Sequence, residues 1–373
     1  MKRVTLILIL IALLNSCKHN KNSEGDTFTS DKFEYSHDSI IHLSPLKSGI
    51  EHVTNNSFGD IIELKGISVP VNEIFKVNET QMLVKDSLLI VRNRFMDDNF
   101  MVYSLPDFRF LHSFGRAGRG PEEFQNPNLI KSHNNDVLFY IFELIQNKMY
   151  SVNMDFEINQ LMYSLPNFSG SMFSIKQIVH ISDSTFIMVD STPKGKEIFD
   201  LKLTDNDSYG SEIYNLSFID NRKNWAVYTG EFGVNPKANR MVYAYKYFKR
   251  LKFIDTESKE SKTVIFKEYE NKLPDFSDIL APHNKTHYWG LSAQEKHVYL
   301  LYSGRTPIDV SNENRKSSGY IYVEQFDWNG NPIRKFKLDR WGYFCVNEDE
   351  DTIFLMSNVD EHPFYMYKLP ENK

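Results

Sequence analysis

The chain has 373 residues, of which 41% are hydrophobic and 25% are charged, and its formal net charge is −6. This composition excludes a disordered or collagen-like protein, and the acidic balance argues against a nucleic-acid-binding protein. Only two cysteines are present, which excludes a disulfide-rich scaffold.

The N-terminus has the pattern of an export signal. Lys2 and Arg3 precede an apolar run over residues 4–14, which is shorter than the roughly 20 residues that span a bilayer. The run leads to Ser16-Cys17, which resembles the bacterial lipobox, where the cysteine becomes the first mature residue and is acylated. We therefore predict a signal peptide over residues 1–16 and lipidation at Cys17. An ordinary signal peptide that happens to end near a cysteine is the alternative.

Residues 17–56 are predicted to form a tether between the lipid and a folded domain over residues 57–373. The segment is poor in apolar clusters and rich in polar residues, and its later part is expected to pack on the domain. Residues 18–21 lack the acidic run that directs some Gram-negative lipoproteins to the surface. We expect a lipid-anchored protein on the periplasmic face of the outer membrane, with the cell surface as the alternative.

One strand pattern recurs six times along the remainder of the chain. A polar turn is followed by a compact apolar run that begins at residue 88, 137, 186, 241, 298 or 353. Further strand-like segments follow each run, which gives about four strands in each unit of about 50 residues. This organisation predicts an all-β, six-bladed β-propeller; a pair of β-sandwiches or a different blade count is the alternative.

The last unit is predicted to be one strand short at the C-terminus, because the chain stops soon after residues 365–370. Residues 60–64 form a spare strand pattern ahead of the first unit. We predict that this N-terminal strand pairs with the last blade and closes the ring, which removes an open sheet edge.

Residues 114–124, continuing to Asn126-Pro127, carry a family resemblance. They resemble the blade-connecting signature of NHL-type propellers and of TolB-like six-bladed propeller lipoproteins of Gram-negative bacteria. Residues 235–243 are similar to the start of a blade in the second group. Only one blade junction keeps the full glycine-rich signature, which favours the TolB-like group. The resemblance implies the fold and no shared reaction or ligand.

Basic residues are predicted to collect at one mouth of the channel. In a propeller, the blade-to-blade loops and the loops between second and third strands lie on the same face. The blade register places six basic residues there, which are the candidate ligand-binding residues: Arg92, Arg94, Arg116, Arg119, Lys246 and Arg305. Such a mouth would attract an anion, for example a carboxylate-bearing sugar or a peptide terminus. The alternative is scattered, solvated charge on ordinary loops.

The glycine-rich loop over residues 115–120 has two interpretations. Its backbone N–H groups and two arginines could cradle an anion, although it lacks the Walker ending. Alternatively, it is a turn that joins two blades, with Phe124 as a core residue.

Signatures of metal binding and of nucleophilic catalysis are weak. His283 and His287 have i,i+4 spacing without the glutamate of zincins, and residues 97–99 and 205–207 read as turns rather than calcium loops. Gly-x-Ser-x-Gly is missing from the sequence. We predict neither a metal nor another cofactor.

Cys345 lies in an apolar stretch and is expected to be a small buried residue. The surplus of Tyr and Phe could line a sugar-binding funnel, although packing between blades explains it better.

The sequence therefore favours a non-enzymatic, membrane-anchored binding or scaffold lipoprotein. Its partner would be a peptide, a glycan or a protein, with no nucleic acid and with the membrane contacted through the lipid alone. The alternative is a propeller-class hydrolase or lyase that acts on a sugar or a lactone, with or without a metal.

Overall fold

The computed structural model describes residues 41, 43–76, 80–94, 97–120, 122–162, 165–168, 176–204, 208–222, 224–316, 318–357 and 359–371. In chain order the strands are β1 (Gly49–Val53), β2 (Ile62–Leu64), β3 (Ile67–Val69), β4 (Gln81–Lys85), β5 (Leu88–Arg92), β6 (Asp98–Ser104), β7 (Arg109–Arg116), β8 (Pro127–Lys131), β9 (Val137–Glu143), β10 (Lys148–Asn153), β11 (Ile158–Met162), β12 (Gln177–Ser182), β13 (Thr185–Thr192), β14 (Gly195–Leu203), β15 (Ser208–Asn215), β16 (Gly230–Asn235), β17 (Arg240–Tyr245), β18 (Arg250–Asp255), β19 (Ser261–Phe266), β20 (Thr286–Ala293), β21 (His297–Arg305), β22 (Ile321–Asp327), β23 (Pro332–Leu338), β24 (Gly342–Val346), β25 (Thr352–Ser357) and β26 (Phe364–Lys368).

Helical structure is short within these ranges. The α-helix is Pro307–Arg315, and the 3-10 helices are Asn55–Phe58, Trp225–Tyr228, Pro236–Ala238 and Lys267–Tyr269. Within the described residues, no helix has the length and apolar character that a membrane span requires.

The strands form six sheets that follow one another along the chain as the blades of a propeller. The sheets are built on β4–β7, β8–β11, β12–β15, β16–β19, β20–β23 and β24–β26. The first strand of each blade (β4, β8, β12, β16, β20 and β24) contacts the first strand of the next blade in cyclic order, so the six enclose a central channel. The predicted six-bladed, all-β propeller is confirmed.

The six apolar runs found in the sequence are all the second strand of a blade. This strand has a partner on each side and a neighbouring blade on each face, so both of its faces are buried. In β5, for example, Leu89, Ile90 and Val91 are all fully buried. A run that is apolar at every position is therefore the expected pattern for this strand.

An N-terminal strand closes the ring, but the predicted strand was wrong. β3 pairs antiparallel with β26 and supplies the fourth strand of the sixth blade. β2, which lies within the predicted residues 60–64, instead pairs parallel with β23 at the outer edge of the fifth blade. Only Lys65 and Gly66 separate β2 from β3, so one extended segment passes from the fifth blade to the sixth.

The packed part of the chain extends to the N-terminal side of residue 57. β1 pairs parallel with β19 and adds a fifth strand to the fourth blade. The 3-10 helix that follows places Phe58 in the core, where its ring stacks on Phe266 and meets the edge of Phe326. These contacts bind the segment to the fourth and fifth blades.

Candidate functional site

The channel at the centre of the propeller is the candidate binding site. It encloses a cavity of about 570 Å³ lined by residues of all six blades. We name its two ends by residues that lie there. The Lys246 end is where the six first strands begin, and the His180 end is where they finish. A cavity of this size suits a small molecule or the terminal residues of a chain.

Cations outnumber acids in the described wall of the cavity. Four basic residues line it, namely Arg92, Lys131, Lys176 and Lys246, whereas Glu231 is the sole aspartate or glutamate among the described lining residues. All of these except Lys131 belong to the Lys246 end. The cavity thus reverses the acidic balance of the whole chain, which has a net charge of −6.

Arg92 is held at the Lys246 end by neutral acceptors. It is the last residue of β5, and its Nη1 donates to the Pro127 carbonyl and to Asn128 Oδ1, both at 2.9 Å. The side chain thereby bridges the first and second blades. These two hydrogen bonds orient the guanidinium at the channel.

Lys176 immediately precedes β12 and is buried at the same end. Its Nζ donates to Asn147 Oδ1 at 2.9 Å and to the Pro166 carbonyl at 3.1 Å. Burial lowers the pKa of Lys176, and the nearby Asp190 opposes this shift. The second and third blades together fix this cation at the channel.

Lys246, Glu231 and Trp289 lie together in the wall. Lys246 follows β17, and its Nζ lies 4.9 Å from the centre of the Trp289 ring. Glu231 pairs with Ala244 across β16 and β17, so Lys246 is its diagonal neighbour on the adjacent strand. Burial raises the pKa of Glu231 to about 7, and the Lys246 ammonium opposes this shift.

The His180 end is closed by hydrogen bonds between blades. Lys131 Nζ donates to Gln294 Oε1 at 3.0 Å and lies 3.4 Å from a Glu348 carboxylate oxygen. The backbone N–H of His133 donates to His180 Nδ1 at 2.9 Å. Burial lowers the pKa of His180 to about 4, so this ring is neutral at physiological pH.

Two of the six predicted ligand-binding residues, Arg92 and Lys246, line the cavity. Arg116 and Arg119 are exposed on the blade-connecting loop, and Arg94 is half-buried after β5. Arg305 turns away from the channel. It pairs with Glu313, donates to the Tyr320 carbonyl and packs 3.9 Å from the Tyr320 ring centre.

Arg305 thereby holds the α-helix Pro307–Arg315 against its own blade. This helix lies between the second and third strands of the fifth blade, and a capping box between Thr306 and Asp309 starts it.

The glycine-rich loop satisfies its own hydrogen bonds, which supports its interpretation as a turn. The Gly120 N–H donates to Glu123 Oε2 at 2.7 Å, so a carboxylate of the chain occupies the place where an anion would be cradled. Phe124 is buried and packs against Phe100 and Tyr150. Gln125 and Asn126, which follow Phe124, donate their backbone N–H groups to the buried Glu143 carboxylate.

Apolar side chains are exposed on the loops around the Lys246 end. They lie in blade-to-blade loops and in loops between second and third strands: Ile74, Ile145, Leu273, Leu280, Ile308 and Val359. Each of these side chains is at least 48% exposed. The rim of the cationic end thus offers apolar contacts to a ligand that extends beyond the cavity.

Among the described residues, no three His, Cys, Asp or Glu side chains converge as metal ligands would. The residues considered as metal ligands from the sequence have other partners or positions. Asp98 accepts a hydrogen bond from the Ser113 hydroxyl, the exposed His283 lies 3.4 Å from an Asp275 carboxylate oxygen, and His287 is buried in β20. Cys345 is buried and its pKa is raised by burial, as expected for a small core residue. Residues 205–207 and Cys17 lie outside the described ranges.

Sequence reasoning missed Lys131, Lys176 and Glu231. The recurring runs mark second strands, whereas these residues lie on or next to first strands, whose pattern is less regular. Trp289 and Tyr343 also line the cavity, while most other aromatic side chains pack between blades. The one sequence signal for these lysine and glutamate positions was their location on or next to the strand that precedes each apolar run.

Residues 57–349 match the model of a family described as TolB-like 6-blade propeller-like. Among solved structures, the chain is similar to a member of the duf4221 family from Bacteroides vulgatus, with 12% identity, a TM-score of 0.61, and coverage of 84% of this chain and 100% of that chain. It is also similar to a putative exported protein from Bacteroides fragilis, with 13% identity, a TM-score of 0.51, and coverage of 87% and 99%. At such identities the likeness shows the fold alone. No curated protein matches the chain.

Proposed function

We propose, from the premise that the chain belongs to the TolB-like 6-blade propeller family, that it is a binding protein whose channel takes an anionic ligand at the Lys246 end. The observation that carries this proposal is the excess of cations in the cavity wall of an acidic protein. Binding here requires no reaction chemistry, and the hydrolase or lyase alternative stays a prediction.

The electrostatics of the site support an anion in particular. Lys176 is fixed by neutral oxygens, and Lys246 lies over an aromatic ring rather than beside a carboxylate at ion-pair distance. A charge that is oriented in a partly buried wall interacts more strongly with a ligand than the same charge in bulk water. These two lysines, with Arg92 in the same wall, favour a carboxylate or a similar anion.

The ligand would be a molecule with a carboxylate at one end and further contacts beyond it. Trp289 and Tyr343 provide flat surfaces inside the cavity, and the exposed apolar side chains of the rim lie outside it. An acidic glycan or the terminus of a peptide has this chemistry. We further propose that the protein is an exported lipoprotein anchored through Cys17 and located on the periplasmic face of the outer membrane.

Binding of D-glucuronate by the Lys246→Met variant tests the site. Methionine keeps most of the volume of lysine and removes the charge. We expect the variant to bind glucuronate at least about tenfold more weakly, because a charge-assisted contact contributes roughly 1.5–3 kcal/mol. Thermal unfolding reports the binding, since a ligand at 100 times its Kd stabilises the folded state by about 2.7 kcal/mol.

Arg119→Gln is the matched control. It removes one positive charge from an exposed position on the blade-connecting loop and should leave the affinity for glucuronate unchanged. D-glucose, which has the same ring without the carboxylate, should not stabilise the wild-type protein. Equal affinities in the wild-type protein and the Lys246→Met variant would overturn the proposed site, as would equal stabilisation by glucose.

A further inference from the structure

Glu231 stands out in the cavity wall because a carboxylate is the wrong group for a site that takes anions. It is the second residue of β16, it is half-buried, and it lines the cavity at the Lys246 end. None of the described residues donates a hydrogen bond to its carboxyl group. By contrast, Glu143, which lies at another blade junction, accepts hydrogen bonds from three backbone N–H groups. Its carboxyl group is thus available to a ligand.

The groups that face Glu231 compensate its charge only in part. Lys246 is the cation beside it, and its ammonium opposes the effect of burial without a hydrogen bond between the two described side chains. Tyr243, on the strand paired with β16, uses its hydroxyl to donate to the Tyr228 carbonyl at 2.6 Å. From the neighbouring blades, Gln177 and Trp289 approach the same wall and carry no charge.

We propose that Glu231 sets the charge selectivity of the cavity: the protonated carboxyl donates a hydrogen bond to a bound anion, whereas the carboxylate repels it. This inference rests on the proposed function of the channel and identifies a proton as the factor that opens the site to anions. No bond is made or broken apart from the proton transfer between Glu231 and water.

The direction of the pH dependence follows from the surroundings of Glu231. Burial raises its pKa to about 7, so the carboxyl form dominates at mildly acidic pH and the carboxylate form at alkaline pH. Anion binding should therefore be tight below pH 7 and weaken above it. Tyr243 does not interfere, because burial raises its pKa well above 10. His180 lies at the other end and is neutral above pH 5.5, since its pKa is about 4.

Calorimetric titration of the full chain with sulfate, repeated at several pH values between 5.5 and 8.5, tests the inference. Sulfate keeps its double negative charge throughout this range, so any change in affinity originates in the protein. We expect the wild-type affinity to fall by about thirtyfold between pH 6 and pH 8.5, because a ligand that requires the protonated form loses up to tenfold per pH unit above the pKa. The Glu231→Gln variant should bind with nearly constant affinity.

Two further variants make the result specific. Glu231→Asp keeps a titrating carboxyl group and should retain a pH dependence. Glu257→Gln removes an exposed carboxylate from the fourth blade and should behave as the wild-type protein. The same pH dependence in the wild-type protein and Glu231→Gln would overturn the role of Glu231 while leaving the channel as an anion site. A wild-type protein that binds sulfate at no pH would overturn the proposed function together with this inference.

Discussion

At the scale of single residues, the hydrogen-bond partners of each cation decide whether it reaches the channel. Carbonyl and amide oxygens hold Arg92 and Lys176 there. Arg305, by contrast, is used within its own blade by Glu313 and the Tyr320 carbonyl. In the sequence, Arg92 and Arg305 are both basic residues at the end of a second strand, and only their contacts distinguish them.

Gly115 shows a second residue-scale constraint, imposed by the backbone. Its φ is +74°, and a Cβ added there would lie 2.5 Å from Phe100 Cδ2. We expect Gly115→Ala to lower the free energy of unfolding by about 2–4 kcal/mol, from the positive φ and the clash together. Chemical denaturation measures the change.

Gly59→Ala separates these two contributions. Gly59 has a similar φ of +69°, but nothing lies within 4 Å of an added Cβ. Its substitution should cost about 1–3 kcal/mol from the backbone conformation alone, because φ +69° with ψ −151° is a conformation that residues other than glycine rarely adopt. Equal losses in the two variants would show that the contact with Phe100 is unimportant.

At the scale of elements, the segment before the first blade performs three tasks in succession. β1 extends the fourth blade, β2 extends the fifth, and β3 completes the sixth. Of these strands, β3 alone replaces a missing member of a blade, because it is antiparallel to β26 and leads directly to β4. Closure of the ring thus depends on three residues, Ile67–Val69, far from the C-terminus in sequence.

Truncation distinguishes the contributions of these strands. A chain that begins at residue 57 loses β1 and keeps β3, whereas one that begins at residue 70 loses the closing strand. We expect the first to fold with reduced stability and the second to fail to unfold cooperatively, because the edge of β26 is then open and Phe364 loses its partner Val69. Circular dichroism during heating measures both. Cooperative unfolding of the shorter chain at the same temperature would contradict this role of β3.

At the scale of the whole molecule, the direction of each strand assigns the loops to the two ends of the channel. The chain meets the fourth blade at the His180 end, where the Ile41 N–H donates to the Lys237 carbonyl at 2.8 Å and β1 begins. The three cations and the exposed apolar loops belong to the opposite end. The described chain therefore begins at the end of the channel opposite the proposed ligand site.

The proposed anchor is also a property of the whole protein. In a bacterial host grown with radiolabelled palmitate, we expect the wild-type chain to carry the label and to sediment with membranes. Cys17→Ser should lose both properties, because thioether-linked lipid and the acylated N-terminus require the cysteine. Cys345→Ser is the control, since Cys345 is buried in the last blade and should not affect labelling. Membrane sedimentation of the Cys17→Ser variant would argue against the lipid anchor.

The sequence by itself determined the all-β class, the number of blades and the family. These follow from local properties: second strands are buried on both faces, so each carries an apolar run that recurs once per blade, and the segment over residues 114–127 resembles the blade-connecting signature of the family whose model matches residues 57–349. The same regularity explains why Phe124 was correctly expected in the core. Patterns that depend on one strand and its immediate turn are visible without the rest of the chain.

The tertiary structure alone decided which strand closes the ring and which charges meet in the channel. Either residues 60–64 or Ile67–Val69 had enough strand character to close it, and the path of the chain past the fifth blade selected the second. Lys176, Glu231 and Lys246 come from different blades or different strands, and they share one cavity because the six first strands form a ring. The charge of a cavity depends on long-range placement and on the partners of each side chain, which local patterning does not encode.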